Sequence, residues 1–182
     1  EERAAFTRRT FLAAAGSAVA ASVIPASAEA QVVPSDPLAT NAILVNGTDV
    51  YVGGYFTNIS NHGVNLPEGD FIAKWDGTNW SALGSNGAGN GSLNYGVSSL
   101  AMIGTDLYVG GSFTNVNDNG VLLLAGDYLA RWDGSHWAAV SSNGSGNGAL
   151  NGSVSALAVN GTTLYVGGTF TNVSDNGVVL NA

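Results

Sequence analysis

The chain has 182 residues and a formal net charge of −8, and charged residues make up only 10% of it, against the usual quarter. Beyond residue 30 the only basic side chains are Lys74 and Arg131, too few to neutralise phosphates or to hold an anionic bilayer, so nucleic-acid and lipid-surface binding are excluded. Cysteine is absent, which excludes disulfides, thiolate metal sites and cysteine-linked lipid.

The first thirty residues read as an export signal. Thr7-Arg8-Arg9-Thr10-Phe11-Leu12 precedes an apolar run from Ala13 to Ile24, then Pro25, then the small-residue sites Ala26-Ser27-Ala28 and Ala28-Glu29-Ala30. A charged start, a short apolar centre and small residues before the cut are what a cleaved leader needs. The run is too short to span a bilayer. The pattern resembles a twin-arginine signal through Arg8, Arg9, Phe11 and Leu12, with Ala13 where that signal often has Lys. Cleavage is expected after Ala30, with Ala28 marking the other site. The mature part is then expected to be periplasmic, at the cell surface or extracellular, and not embedded in a membrane. Residues 31–40, with Pro34 and Pro37, read as a linker.

From residue 41 the chain repeats. Tyr51, Tyr108 and Tyr165 stand 57 residues apart, each followed by Val-Gly-Gly, any residue, then Phe-Thr-Asn. Three copies align without gaps over 41–97, 98–154 and 155–182. In the second copy Ser99–Ile103 is expected as a strand, then a tight turn at Gly104-Thr105, where the other copies have Asn46-Gly47 and Asn160-Gly161. Leu107–Val109 is the second strand, ending on Gly110-Gly111. Asn115 to Gly126 reads as a long polar loop. Tyr128–Trp132 and His136–Val140 are the third and fourth strands around Asp133-Gly134, and Ser141 to Gly152 is a second long loop. Asn-Gly and Asp-Gly between apolar runs are strong hairpin signals. Four short strands per unit predict an all-β fold with propeller blades; a parallel β-helix and a β-sandwich are the competing architectures.

The unit resembles a kelch-type blade. Gly53-Gly54, Gly110-Gly111 and Gly167-Gly168 match the family's glycine pair, and Trp80 and Trp137 match its tryptophan. Trp75 and Trp132 stand five residues before that Trp, where kelch blades usually carry a Tyr about six before, and the period exceeds the ~50 of that family. The closer likeness is to a bacterial kelch-like subgroup with Tyr-Val-Gly-Gly-x-Phe and Trp-Asp-Gly-x-x-Trp blades. The resemblance implies a β-propeller of four-stranded antiparallel blades over 41–182. It implies no single function, because such propellers serve enzymes and binding modules alike. About two and a half blades are present, so the chain is expected to be a piece of a longer protein. The remaining blades of that protein are its expected partner, and the piece alone is expected to associate or aggregate.

In a meander, successive turns fall on opposite ends of the sheet, so the tight turns are expected on one face and the long loops on the other. Binding residues gather on long loops carried by a rigid scaffold. The candidates are therefore the loop tips: Asn61 and His62, Asp118 and Asn119, Asp175 and Asn176. A glycan or a protein is the expected ligand. The alternative is an exported enzyme whose catalytic residues lie beyond residue 182. No catalytic residue, metal or cofactor is expected within these residues. His62 and His136 read as turn residues. Asn115-x-Asn117-Asp118-Asn119-Gly120 reads as an Asx-rich turn rather than a calcium loop, for want of carboxylates. Asp70, Asp76, Asp127 and Asp133 recur at the repeat spacing and read as turn residues rather than paired glycosidase acids.

Overall fold

The structure is a computed structural model that describes residues 40–180 except residue 58. The expected signal, with Arg8, Arg9, Phe11, Leu12, Ala28 and Ala30, and residues 31–39 of the expected linker lie outside the described residues.

The fold is nearly all β, and every ladder among the described residues is antiparallel, which removes the parallel β-helix. The first unit contains β1 (Thr40–Asn46), β2 (Asp49–Gly54), β3 (Ile59–Asn61), β4 (Val64–Leu66), β5 (Ile72–Trp75) and β6 (Trp80–Ala82). The second contains β7 (Val97–Ile103), β8 (Asp106–Gly111), β9 (Val116–Asp118), β10 (Val121–Leu123), β11 (Leu129–Trp132) and β12 (Trp137–Ala139). The third contains β13 (Val154–Asn160), β14 (Thr163–Gly168), β15 (Val173–Asp175) and β16 (Val178–Leu180). Units one and two each form a four-stranded meander, ordered β1-β2-β5-β6 and β7-β8-β11-β12. A separate two-stranded hairpin, β3-β4 or β9-β10, is inserted between the second and third strands of the meander.

That inserted hairpin corrects the expectation of a structureless loop from Asn115 to Gly126. The reason lies in turn chemistry. His62-Gly63, Asn119-Gly120 and Asn176-Gly177 all have positive φ at both residues, from 47° to 97°. This is the type I′ signature that Asn-Gly favours. At the first tight turn, by contrast, Asn46 pairs with Asp49, so Gly47-Thr48 is the loop and only the glycine has positive φ. That is the II′ pattern, not the I′ turn its Asn-Gly suggests, and Gly104 and Gly161 repeat it. At the second tight turn Asp133 Oδ1 accepts from the amides of Ser135 and His136, both at 2.8 Å. Asp76 does the same for Thr78 and Asn79 at 2.8 and 2.7 Å. The amides of His136 and Ser135 hold the Asp133 carboxyl down to about 2. These carboxylates close turns.

The units meet through the glycine pair. A register shift after Val97 aims that side chain out of the ladder, as bulges do. Its Cγ1 comes within 2.5 Å of where a Cβ on Gly53 would lie. Val154 fills the space over Gly110 in the same way, after the same shift. Gly53 and Gly110 are therefore absent side-chain volume that the next unit occupies. The main core lies across this junction: Ile72 and Leu83 of unit one pack with Val97, Val109, Phe113, Val116 and Trp137 of unit two. Each such side chain contributes about 1.5–3 kcal/mol on burial. The tryptophans are buried as opposed cross-strand pairs, with Trp132 and Trp137 centroids 5.4 Å apart. Trp137 also ties the units together, donating from Nε1 to the Leu83 carbonyl at 2.6 Å.

Candidate functional site

The hairpin tips carry the predicted site residues, and most of their polar atoms are used within the protein. Asn61 Oδ1 accepts the Trp80 amide at 3.1 Å, and His62 Nε2 donates to the Thr78 carbonyl at 3.0 Å. Asp118 Oδ2 meets His136 Nδ1 at 2.9 Å, and this carboxylate raises the His136 pKa. The Asn119 amide donates to the Ser85 carbonyl at 2.9 Å. Asp175 Oδ1 accepts from Ser141 Oγ at 3.2 Å and from Asn176 Nδ2 at 3.0 Å. Asn176 Oδ1 accepts from Ser142 Oγ at 3.4 Å. Thr78 and His136 belong to tight turns, so the tips fold back onto the turns they were expected to oppose. Each tip is held by its own partners, and its bonds explain Asx-rich sequence without a ligand.

A cleft of about 420 Å³ lies elsewhere, where the first unit meets the second. One wall is Asp70 and Phe71, at the entry to β5; another is the inter-unit segment with Asn86, Asn90 and Asn94; Asn115, Asn117 and Leu122 come from the inserted hairpin and its approach. Phe71 has φ of 65°, and its counterpart Tyr128 has 62°. A bulky residue in the left-handed region is uncommon and costs about 1–3 kcal/mol. Here the backbone is held from both sides. The Phe71 amide donates to the Phe56 carbonyl at 2.9 Å, and the Phe71 carbonyl accepts the Gly54 amide at 3.0 Å. Tyr128 has the equivalent bonds with Phe113 and Gly111. The aromatic at this position is thus fixed in direction by the sheet beside it.

The asparagines divide by role. Asn94 is structural: its Oδ1 accepts the amides of Thr114 and Asn115 at 3.0 and 3.1 Å, and its Nδ2 reaches Thr114 Oγ1 at 3.1 Å. Asn151 clamps Thr171 and Asn172 identically, which explains the repeated Phe-Thr-Asn. Asn86 Oδ1 accepts the amides of Ala88 and Asn90 at 2.7 and 3.1 Å. Asn117 Oδ1 accepts the Gly120 amide at 2.7 Å. The Nδ2 groups of Asn86 and Asn117, and the side-chain amides of Asn90 and Asn115, make no hydrogen bond among the described residues.

Sequence reasoning missed this cleft, because its walls come from three segments far apart in the chain. One signal was available. The Tyr55 ring stands 5.9 Å from the wall residue Phe71 and 4.9 Å from Tyr95, both edge to face. The counterparts of Tyr55 in the next copies are Ser112 and Thr169, and that of Tyr95 is Gly152. These two tyrosines break the repeat. At the second junction Asp127 has a buried Oδ1 without a partner. Burial raises its pKa, partly offset by the Gly148 amide.

The cleft has donors, acceptors and aromatic surface, but no arranged nucleophile and base. Lys74 and Arg131 pair with Asp49 and Asp106 at 3.3 and 2.7 Å. Among the described residues no group of three or more His, Asp or Glu is placed to hold a metal ion. Comparison with known proteins finds no matching family model, no matching curated protein and no matching solved structure.

Proposed function

We propose that the chain is an exported, non-catalytic recognition module built from kelch-like propeller blades, binding a glycan or a protein through the loop-lined cleft between its first two units. The observation that carries this reading is the cleft itself. Its walls present unused amide groups and aromatic surface, and its volume of about 420 Å³ falls within the roughly 300–1,000 Å³ of small-molecule sites. Polar side chains converge there without the nucleophile–base geometry that catalysis needs.

The blade assignment is supported by the strand order of the two complete meanders and by the seating of each unit's first-strand valine over the preceding glycine pair. Export is supported by the order of charged, apolar and small residues before Gln31. The test is binding of the purified chain to immobilised polysaccharides and to a panel of soluble proteins, followed by Asn90→Ala and Asn117→Ala. Specific binding weakened by these changes is the expected result. Binding indifferent to every cleft substitution would move recognition to another surface, and hydrolysis of a bound polysaccharide would overturn the non-catalytic assignment.

A further inference from the structure

Within that recognition reading, on which this step rests, we infer that Tyr55, Tyr95 and Phe71, set edge to face and not as one plane, form an aromatic ledge against which a neutral, polyhydroxylated sugar chain packs, with Asn86, Asn90 and Asn117 taking its hydroxyls. Tyr55 and Tyr95 are 42% and 46% exposed, so each is held by its neighbours and still offers part of its ring to solvent. Neither is needed to assemble a junction, since the second is built with Ser112 and Gly152 in their places. The ring of Tyr55 also has a prepared seat. A Cβ on Gly96 would lie 2.7 Å from Tyr55 Cδ2. Where Ser112 replaces the tyrosine, the counterpart of Gly96 is Ser153. The small residue appears with the large ring and disappears with it.

The chemistry selects the ligand. The face of an aromatic ring is electron-rich and suits the weakly positive C–H face of a sugar. Tyrosine gives that contact with few rotatable bonds to freeze. The amides are already oriented, because the carbonyl oxygens of Asn86 and Asn117 are bound into turns; a pre-ordered group loses less entropy on binding. Asp70 is the charged residue in the cleft wall, and both basic residues of the described chain are ion-paired along the β2–β5 and β8–β11 ladders. An acidic polysaccharide would meet a carboxylate and no cation, so the ledge favours neutral sugars.

The test uses a panel of neutral polysaccharides (β-glucan, mannan, galactan), acidic ones (alginate, polygalacturonate) and soluble proteins. The chain is compared with a Tyr55→Ser, Tyr95→Gly double variant, which borrows the residues of the second junction. The expected result is binding to at least one neutral polysaccharide, weakened about tenfold or more in the double variant while its melt stays cooperative. Neutral binding that survives the double substitution overturns the ledge. Binding confined to acidic polysaccharides or to proteins overturns the sugar class and leaves the recognition reading in place. Failure of every polysaccharide and every protein on the panel overturns both.

Discussion

The glycine pair offers a sharp test of how the units are joined, because the same motif occurs in two surroundings. In Gly53→Ala the new methyl would lie 2.5 Å from Val97 Cγ1 and 3.0 Å from Val97 Cβ. Val97 is fully buried and β-branched, so it cannot turn aside, and the strands must move apart. Overpacking of this kind costs about 1–3 kcal/mol. In Gly167→Ala the nearest atom is Ala156 Cβ at 3.9 Å, an ordinary contact. That substitution should be neutral, or stabilising by about 0.4–1 kcal/mol through the unfolded chain. Urea unfolding of the two variants should therefore separate their stabilities by about 1–4 kcal/mol. In thermal melts each kcal/mol appears as roughly 2–4 °C. Adding Val97→Ala to Gly53→Ala should show a favourable coupling of about 0.5–3 kcal/mol. Equal losses at positions 53 and 167 would refute the reasoning, since the glycines would then serve their own strand and not the next unit's valine.

Trp132→Ala should cost about 3–5 kcal/mol, as removal of a large core aromatic does; an unchanged melting temperature would make Trp132 a surface residue. The imidazole of His136 should titrate above its ordinary value of 6.5, held up first by the hydrogen bond it donates to Asp118, and NMR of Asp118→Asn should bring the midpoint back down. Because the folded value is the raised one, the stability from this pair is present in full below pH ~6.5 and is lost as pH rises through the folded midpoint; a midpoint indifferent to Asp118→Asn would remove the pair. Arg8→Lys with Arg9→Lys should leave the protein in the cytoplasm, and normal export of that double variant would remove the twin-arginine route.

The antiparallel strands and the repeat were legible because they rest on local patterns. Leu107-Tyr108-Val109 ending at Gly110-Gly111, and Trp132-Asp133-Gly134 closing onto Trp137, leave little alternative to hairpins. The strand limits differ at their ends: Tyr128, expected to open the third strand, has φ of 62° and lies outside it, and Val140 falls outside the fourth. Val97 and Ser98 extend the first strand across a register shift, and His136 drops from the fourth strand into the turn. The inserted hairpin was harder to read. Its strands have three residues each, and three residues cannot display an alternation. Its one signal was Asn119-Gly120, and the same dipeptide at 46-47 and 160-161 sits at turns of another type. Asn-Gly identifies a bend, but the register on either side decides which residues occupy it. The tip residues were correctly placed at a bend, yet the sequence held no sign that Asp118 would meet His136.

Repetition then separates what the scaffold needs from what it does not. Both junctions keep the Asn94 or Asn151 clamp, the valine over the glycine pair, and a left-handed aromatic at 71 or 128. They also keep Asp70 or Asp127 against Gly91 or Gly148, with added Cβ atoms lying 3.2 and 3.0 Å from the Asp Cβ. Features required twice in the same place have at least a role in assembly. Tyr55, Tyr95 and Gly96 are required at one junction only, although the backbone around them is the same. Assembly does not demand them, because the second junction closes with Ser112 and Gly152 in their places. The second junction, with Ser112, Gly152 and Ser153, is therefore an internal control for the first, carried on the same molecule and lacking the two tyrosines.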